Sequence, residues 1–189
     1  MENRCPWCEK DDLYRRYHDL EWGVPVYDDR VLFEFLILEG VQAGLSWYTV
    51  LRKRENYRAA YDGFDFNKVA LYNRSKLDEL MQNEGLIRNK LKIEASVVNA
   101  KCFLDVRKEF GSFSTYIWAF VGGKPIVNHY ESLKEVPATT PLSDQISKDM
   151  KKRGFKFVGS TVVYAHMQAT GMVNDHLVSC PRHREISEQ

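Results

Sequence analysis

This 189-residue chain has no apolar run long enough to span a membrane. Its longest apolar region is interrupted by Glu34 and Glu39, whereas a spanning helix needs roughly 20 consecutive apolar residues. Behind Met1-Glu2-Asn3-Arg4 there is no apolar segment of the secretory type, so a cytoplasmic protein is expected. Cysteine is scarce, with four in the chain, and in a reducing compartment so few thiols point to metal binding or chemistry rather than to a disulfide framework. Neither sign of charge is in excess: 27 Lys and Arg stand against 26 Asp and Glu, a formal net charge of +1. Composition therefore neither implies nor excludes a nucleic-acid partner, which would need basic residues gathered on one face. Internal repeats, low-complexity segments and convincing strand alternation are also lacking, which leaves helices as the building units.

What is present is an ordinary globular composition, 44% hydrophobic and 28% charged, enough for one core and one unit over residues 1–189. At least eight helical segments are predicted, and the fold class is all-α. Asp28-Asp29 caps a helix through Leu38, and a second helix runs from Ser46 to about Ala60. Asn67 caps a short helix, and Ser75-Lys76-Leu77-Asp78 opens another that ends near Asn83. Glu84-Gly85-Leu86-Ile87 then leads into a long helix from near Arg88, with Leu91, Ile93, Val97, Val98, Ala100, Phe103 and Leu104 on its inner side. Helix, tight glycine-containing connection and helix can present backbone amides to a phosphate, and Arg88, Lys90 and Lys92 cluster there. An ordinary helix connection has the same pattern. Ser112 caps a helix through Val121, a loop extends to Pro141, Ser143 opens a helix ending at Gly154, and Thr161 to Thr170 form an apolar helix stopped by Gly171.

The chain is organised around Leu38-Glu39-Gly40-Val41-Gln42-Ala43-Gly44-Leu45-Ser46-Trp47. Glu39 lies among apolar positions, Gly40 and Gly44 suggest a bend or close backbone approach, and Leu45 and Trp47 follow at once. A carboxylate, a bend, an apolar tip and a large aromatic together suggest a site, against the simpler reading of a solvated or capping Glu. Candidate metal ligands lie at both ends: Cys5, Cys8 and His18 near the start, His176, Cys180 and His183 near the end. The Cys5/Cys8 spacing suits half a zinc site better than a redox dithiol, since no strand precedes it. His176 and Cys180, four apart, are expected on one helical turn. Four-coordinate zinc from both termini would tie the chain ends together and leave no open position for water.

Cys5, Trp7, Tyr17-His18-Asp19, Glu21-Trp22-Gly23, Leu38-Glu39-Gly40, Gln42-Ala43-Gly44-Leu45-Ser46-Trp47, Lys53-Arg54-Glu55, Gly154-Phe155-Lys156-Phe157-Val158-Gly159 and Asn174-Asp175-His176 together resemble the 3-methyladenine DNA glycosylase I family. The resemblance covers nearly the whole chain. It implies a helix-hairpin-helix glycosylase fold, with the motif over 75–108, the hairpin at Glu84 to Arg88, and a zinc-stapled terminal region formed by 1–28 and 160–189. It also implies structural Zn2+ on Cys5, His18, His176 and Cys180, and a base pocket of Glu39, Tyr17, Trp47, Tyr14 and Trp22, with Trp7 beside them. Gly44 and Leu45 are expected to enter duplex DNA as a wedge, while Gly85, Arg88 and Lys90 hold phosphates; the competing reading makes Leu45 a core residue. The implied reaction is excision of N3-methyladenine from alkylated double-stranded DNA by a monomer, with free 3-methyladenine as product.

N3-methylation makes the nucleoside cationic and the base a neutral leaving group, so Glu39 is expected to act as an ionised acceptor rather than a water-activating base. Asp105, the acid nearest the position where many related glycosylases carry a catalytic Asp, falls on a solvated helix face. Two other classes fit parts of the pattern: a zinc-stapled damage binder without turnover, and a zinc hydrolase with Glu39 as base.

Overall fold

The computed structural model describes residues 3–188. Among them run eleven helices: α1 Asp12–Leu20, α2 Asp29–Gln42, α3 Trp47–Leu51, α4 Arg54–Ala60, α5 Phe66–Val69, α6 Arg74–Gln82, α7 Lys90–Phe110, α8 Phe113–Ala119, α9 Pro141–Lys152, α10 Ser160–Ala169 and α11 Pro181–Ser187. Two short strands, β1 Ile126–Val127 and β2 Val173–Asn174, pair in parallel. The mainly helical expectation holds. β1 lies where a plain loop was expected and β2 follows the glycine that stops the apolar helix, and at two residues each the strands are too short to show alternation.

α2 is the axis. Leu32 through Val41 are buried without a break, so the helix is enclosed on all sides and carries no solvent face. It packs against α3, α7, α8 and α10. Most helix starts follow side-chain caps: Asp28 accepts from Val31 N–H at 3.0 Å, and Ser112 from Thr115 N–H at 2.8 Å. Asp29 has a different task, accepting from the Phe113 and Ser114 N–H groups at the start of α8 at 3.1 and 2.8 Å and from Arg107 Nε at 2.6 Å.

Several boundaries differ from the sequence reading. α2 does not stop at Leu38 but runs to Gln42, and the expected helix from Ser46 to Ala60 breaks at Arg52-Lys53 into α3 and α4. Asp65 rather than Asn67 caps α5, Asn73 rather than Ser75 caps α6, and Thr140 with Ser143 forms the capping box of α9. In each case the cap lies two or three residues earlier, where the backbone is still extended and its side chain meets an orphan N–H. Leu91 and Val98, expected on the inner side of α7, are 67% and 37% exposed.

Candidate active site and metal cluster

Gly40 does not bend α2. It lies inside the helix, where an added Cβ would sit 3.4 Å from the Phe157 Cβ, so its role is close packing. The bend comes at Gly44, with φ +81°, a value that favours glycine. Glu39 therefore projects from an intact helix turn. Its side chain lines a cavity of about 210 Å3 with Trp7, Tyr14, Tyr17, Trp22 and Trp47. That is small against the roughly 300–1,000 Å3 of drug-sized ligand sites and suits a single base. The rings interlock: Trp7 lies 4.9 Å from Tyr14 and 5.0 Å from Trp22, and Tyr17 lies 5.5 Å from Trp47.

Glu39 is 3% exposed and its Oε2 has no hydrogen-bond partner among the described residues; Trp47 Nε1, also buried, lacks one too. Burial pushes the Glu39 carboxyl up from 4.5 to about 8, since no neighbouring cation or donor offsets the desolvation of the charged form. Burial thus favours its neutral form, where the sequence reading expects an ionised acceptor. Burial likewise raises Tyr17 well above 10.

Cys5, His18, His176 and Cys180 converge, all buried, with their ligand atoms within 4.8 Å of one another. Cys180 Sγ lies 3.6 Å from His18 Nε2 and 3.7 Å from His176 Nδ1, Cys5 Sγ lies 3.7 Å from His176 Nδ1, and the two ring nitrogens are 3.2 Å apart. These separations are the edges expected of a tetrahedron with Zn–N of about 2.0–2.1 Å and Zn–S of about 2.3 Å. The outer partners leave the facing ring nitrogens as lone pairs: His18 Nδ1–H donates to Asp19 Oδ1 at 2.8 Å, and His176 Nε2–H donates to the Trp22 carbonyl at 2.9 Å. Arg4 in turn holds Asp19 at 2.9 Å. The four donors, with Asp19 and the Trp22 carbonyl orienting the two imidazoles, thus fit zinc.

His176 and Cys180 do not share a helical turn as expected. His176 follows β2, and Cys180 sits at the N-cap of α11 after a turn closed by Cys180 N–H on the Leu177 carbonyl at 2.8 Å. Cys8 and His183 stand apart. Cys8 Sγ donates to the Cys5 carbonyl at 3.2 Å, and His183 Nε2–H donates to the Asn128 carbonyl at 2.7 Å. At Gly23, φ +80°, a Cβ would lie 3.1 Å from the His176 ring, so the Glu-Trp-Gly segment carries glycine where the imidazole crosses it.

Leu45 is 39% exposed at the tip after α2, which a core residue would not be. The α6–α7 connection is braced by α4: Lys53 Nζ donates to the Glu84 carbonyl at 3.0 Å, and Ile87 N–H donates to Tyr57 Oη at 3.0 Å. Gly85 does not present a free amide, because its N–H donates to Asn83 Oδ1 at 2.8 Å; a Cβ there would meet Asn56 at 3.0 Å. Arg88 and Lys90 are exposed, Arg88 ahead of α7 and Lys90 as its first residue. Asp105 is exposed, far in character from a catalytic acid.

Sequence reasoning missed Gln42, Leu133, Val136, Ala165, Gln168 and Asp175 in the cavity wall. Gln42 and Asp175 lie within the quoted motifs but were given no role. Asp175 is held in place, accepting from Tyr164 Oη at 2.7 Å, Gln168 Nε2 at 2.8 Å and Asn128 Nδ2 at 2.7 Å. Leu133 and Val136 sit on the loop that the β1–β2 pair and Asn128 fasten to Asp175. No local periodicity signals that contact.

The chain matches the Methyladenine glycosylase family over residues 7–183. It is 51% identical over 181 residues to a DNA-3-methyladenine glycosylase of Haemophilus influenzae, covering 96% of this chain and 98% of the relative. It is 50% identical over 177 residues to DNA-3-methyladenine glycosylase 1 of Escherichia coli, covering 94% and 95%. Among solved structures it is similar, at TM-score 0.92 and 38% identity over 95% of this chain and 96% of the other, to a variant 3-methyladenine DNA glycosylase I in complex with 3-methyladenine. With a buried carboxyl in an aromatic cavity, a Cys2His2 cluster joining both ends and this extent of similarity, the chain belongs to the methyladenine glycosylase family.

Proposed function

We propose that the cavity around Glu39 receives the alkylated base after its extrusion from duplex DNA and holds it while the bond to the sugar breaks. The chain is a DNA-3-methyladenine glycosylase: it hydrolyses the N-glycosidic bond of N3-methyladenine in alkylated DNA and leaves an abasic site. The observation that carries the site assignment is the pair of unpartnered buried groups on one cavity wall, the Glu39 Oε2 acceptor and the Trp47 Nε1 donor. An alkylated adenine offers an amine donor and ring-nitrogen acceptors, which would satisfy both.

The chemistry divides simply. Extrusion costs a few kcal/mol of unstacking, which Trp47, Tyr17, Trp22, Tyr14 and Trp7 offset by presenting ring faces, at about 1–3 kcal/mol per stacked base. As the glycosidic bond breaks, its electron pair neutralises the cationic purine, and water adds to the sugar carbon with loss of a proton. A cation entering the cavity favours ionised Glu39, so binding displaces the carboxyl proton and gives the lesion an opposite charge in a dry site. Neutral adenine gains no such term.

The Gly44-Leu45 tip acts as the apolar wedge. Segment 75–108 serves as a helix-hairpin-helix that holds phosphates through Arg88 and Lys90, with Gly85 admitting the close approach of Asn56. Structural zinc held by Cys5, His18, His176 and Cys180 staples 1–28 to 160–189. When bound it supplies rigidity, and its four protein donors leave no position for water. We read the enzyme as a monomer that works in the cytoplasm with the DNA it repairs.

Single-turnover excision at saturating enzyme tests the site. Glu39→Gln should keep the fold, lose affinity for free 3-methyladenine and retain measurable excision, while Trp47→Ala should lose base binding. A Glu39→Gln enzyme as fast and as tight as the parent would make Glu39 structural; complete inactivity with DNA binding intact would make it a general base.

A further inference from the structure

The turn that presents Leu45 is held from the hairpin side of the molecule. At the end of α2 the chain reverses through Gln42 to Leu45, with Leu45 N–H on the Gln42 carbonyl at 2.6 Å. The carbonyls on either side of Gln42, those of Val41 and Ala43, both accept from a single ammonium, Lys92 Nζ, at 2.8 and 2.5 Å. Lys92 lies in the first turn of α7, directly after the α6–α7 connection, and its own N–H is capped by Asn89 at 3.1 Å. A cation in a helix's first turn opposes the helix dipole, so this lysine is not explained by α7. It is explained by α2, whose last turn holds no basic residue of its own and whose terminal carbonyls need donors.

We propose that Lys92 is a positioning residue that fixes the Gly44-Leu45 tip relative to the hairpin, so that wedge insertion and phosphate grip arrive in one geometry. The inference rests on the wedge reading given above. Lys92 acts through the turn and contacts neither base nor phosphate.

The test measures single-turnover excision on duplex and on single-stranded alkylated DNA for Leu45→Ala, Lys92→Met, Lys92→Arg and the double variant Leu45→Ala/Lys92→Met. Lys92→Met should lower duplex excision on the order of tenfold, the size expected when hydrogen bonds to a charged group are lost, and leave single-strand excision unchanged. Lys92→Arg should restore part of the loss, and the double variant should be no slower on duplex than Leu45→Ala alone. Equal loss on both substrates would reduce Lys92 to a stabilising residue and overturn the proposal. So would a fall of about one in the salt slope of duplex binding, the mark of a direct phosphate contact. If Leu45→Ala itself shows no duplex-specific loss, the wedge reading fails; if it does and Lys92→Met does not, only the role of Lys92 fails.

Discussion

Glu39 shows how much one side chain depends on its enclosure. Its carboxyl is raised from 4.5 to about 8 by burial alone, so between those values the folded chain keeps a proton that the unfolded chain has released. Stability contributed by the neutral form is complete below about pH 4.5 and is lost as pH rises through about 8. Glu39→Gln has no proton to lose. Denaturant unfolding at about pH 5 and about pH 8 should therefore show the variant gaining on the parent by a few kcal/mol at order of magnitude across that window. Equal slopes would mean that water or a neighbour satisfies the carboxylate. The same linkage predicts that affinity for cationic lesion DNA rises with pH toward about 8 in the parent and less so in the variant, because binding releases the proton.

At the scale of elements, α2 carries Glu39 and α4 braces the α6–α7 connection, and ion pairs at buried Arg54 and Glu34 tie the two helices together. Arg54 Nε lies 2.5 Å from Glu34 Oε1, its Nη1 lies 2.6 Å from Glu21 Oε2, and Arg58 Nε reaches Glu34 Oε1 at 2.9 Å. Arg54 and Glu34 are both buried. Removing one partner strands the other, so Arg54→Ala should cost about 3 kcal/mol in chemical denaturation, while Arg54→Met with Glu34→Leu should recover most of that. A neutral Arg54→Ala would show that Arg58 alone satisfies Glu34.

At the scale of the whole molecule, the Cys2His2 cluster joins segments more than 150 residues apart in the chain and abuts the aromatic cavity. Trp7 lies 5.3 Å from the His18 ring, and Trp22 lies 4.7 Å from the His176 ring. Loosening the cluster should thus loosen the cavity wall. Cys180→Ser is expected to lower metal content, melting temperature and affinity for 3-methyladenine together. Metal analysis and thermal unfolding check it, and a native mass spectrum of folded, active protein without metal would sink the zinc assignment.

Apolar periodicity is local and by itself determined the helical class, while the family was legible in the quoted motifs through their resemblance to it. Caps slipped by two or three residues, as at Asn73 and Thr140, because several polar residues compete near each start and backbone shape chooses among them. Tertiary structure alone decided the rest. It brought together Cys5, His18, His176 and Cys180, the four that the resemblance implies, and turned Cys8 and His183 to backbone carbonyls instead. It closed the Gly85 amide, brought Asp175 and the 133–136 loop to the cavity, and left Glu39 Oε2 without a partner among the described residues, in surroundings assembled from four distant parts of the chain.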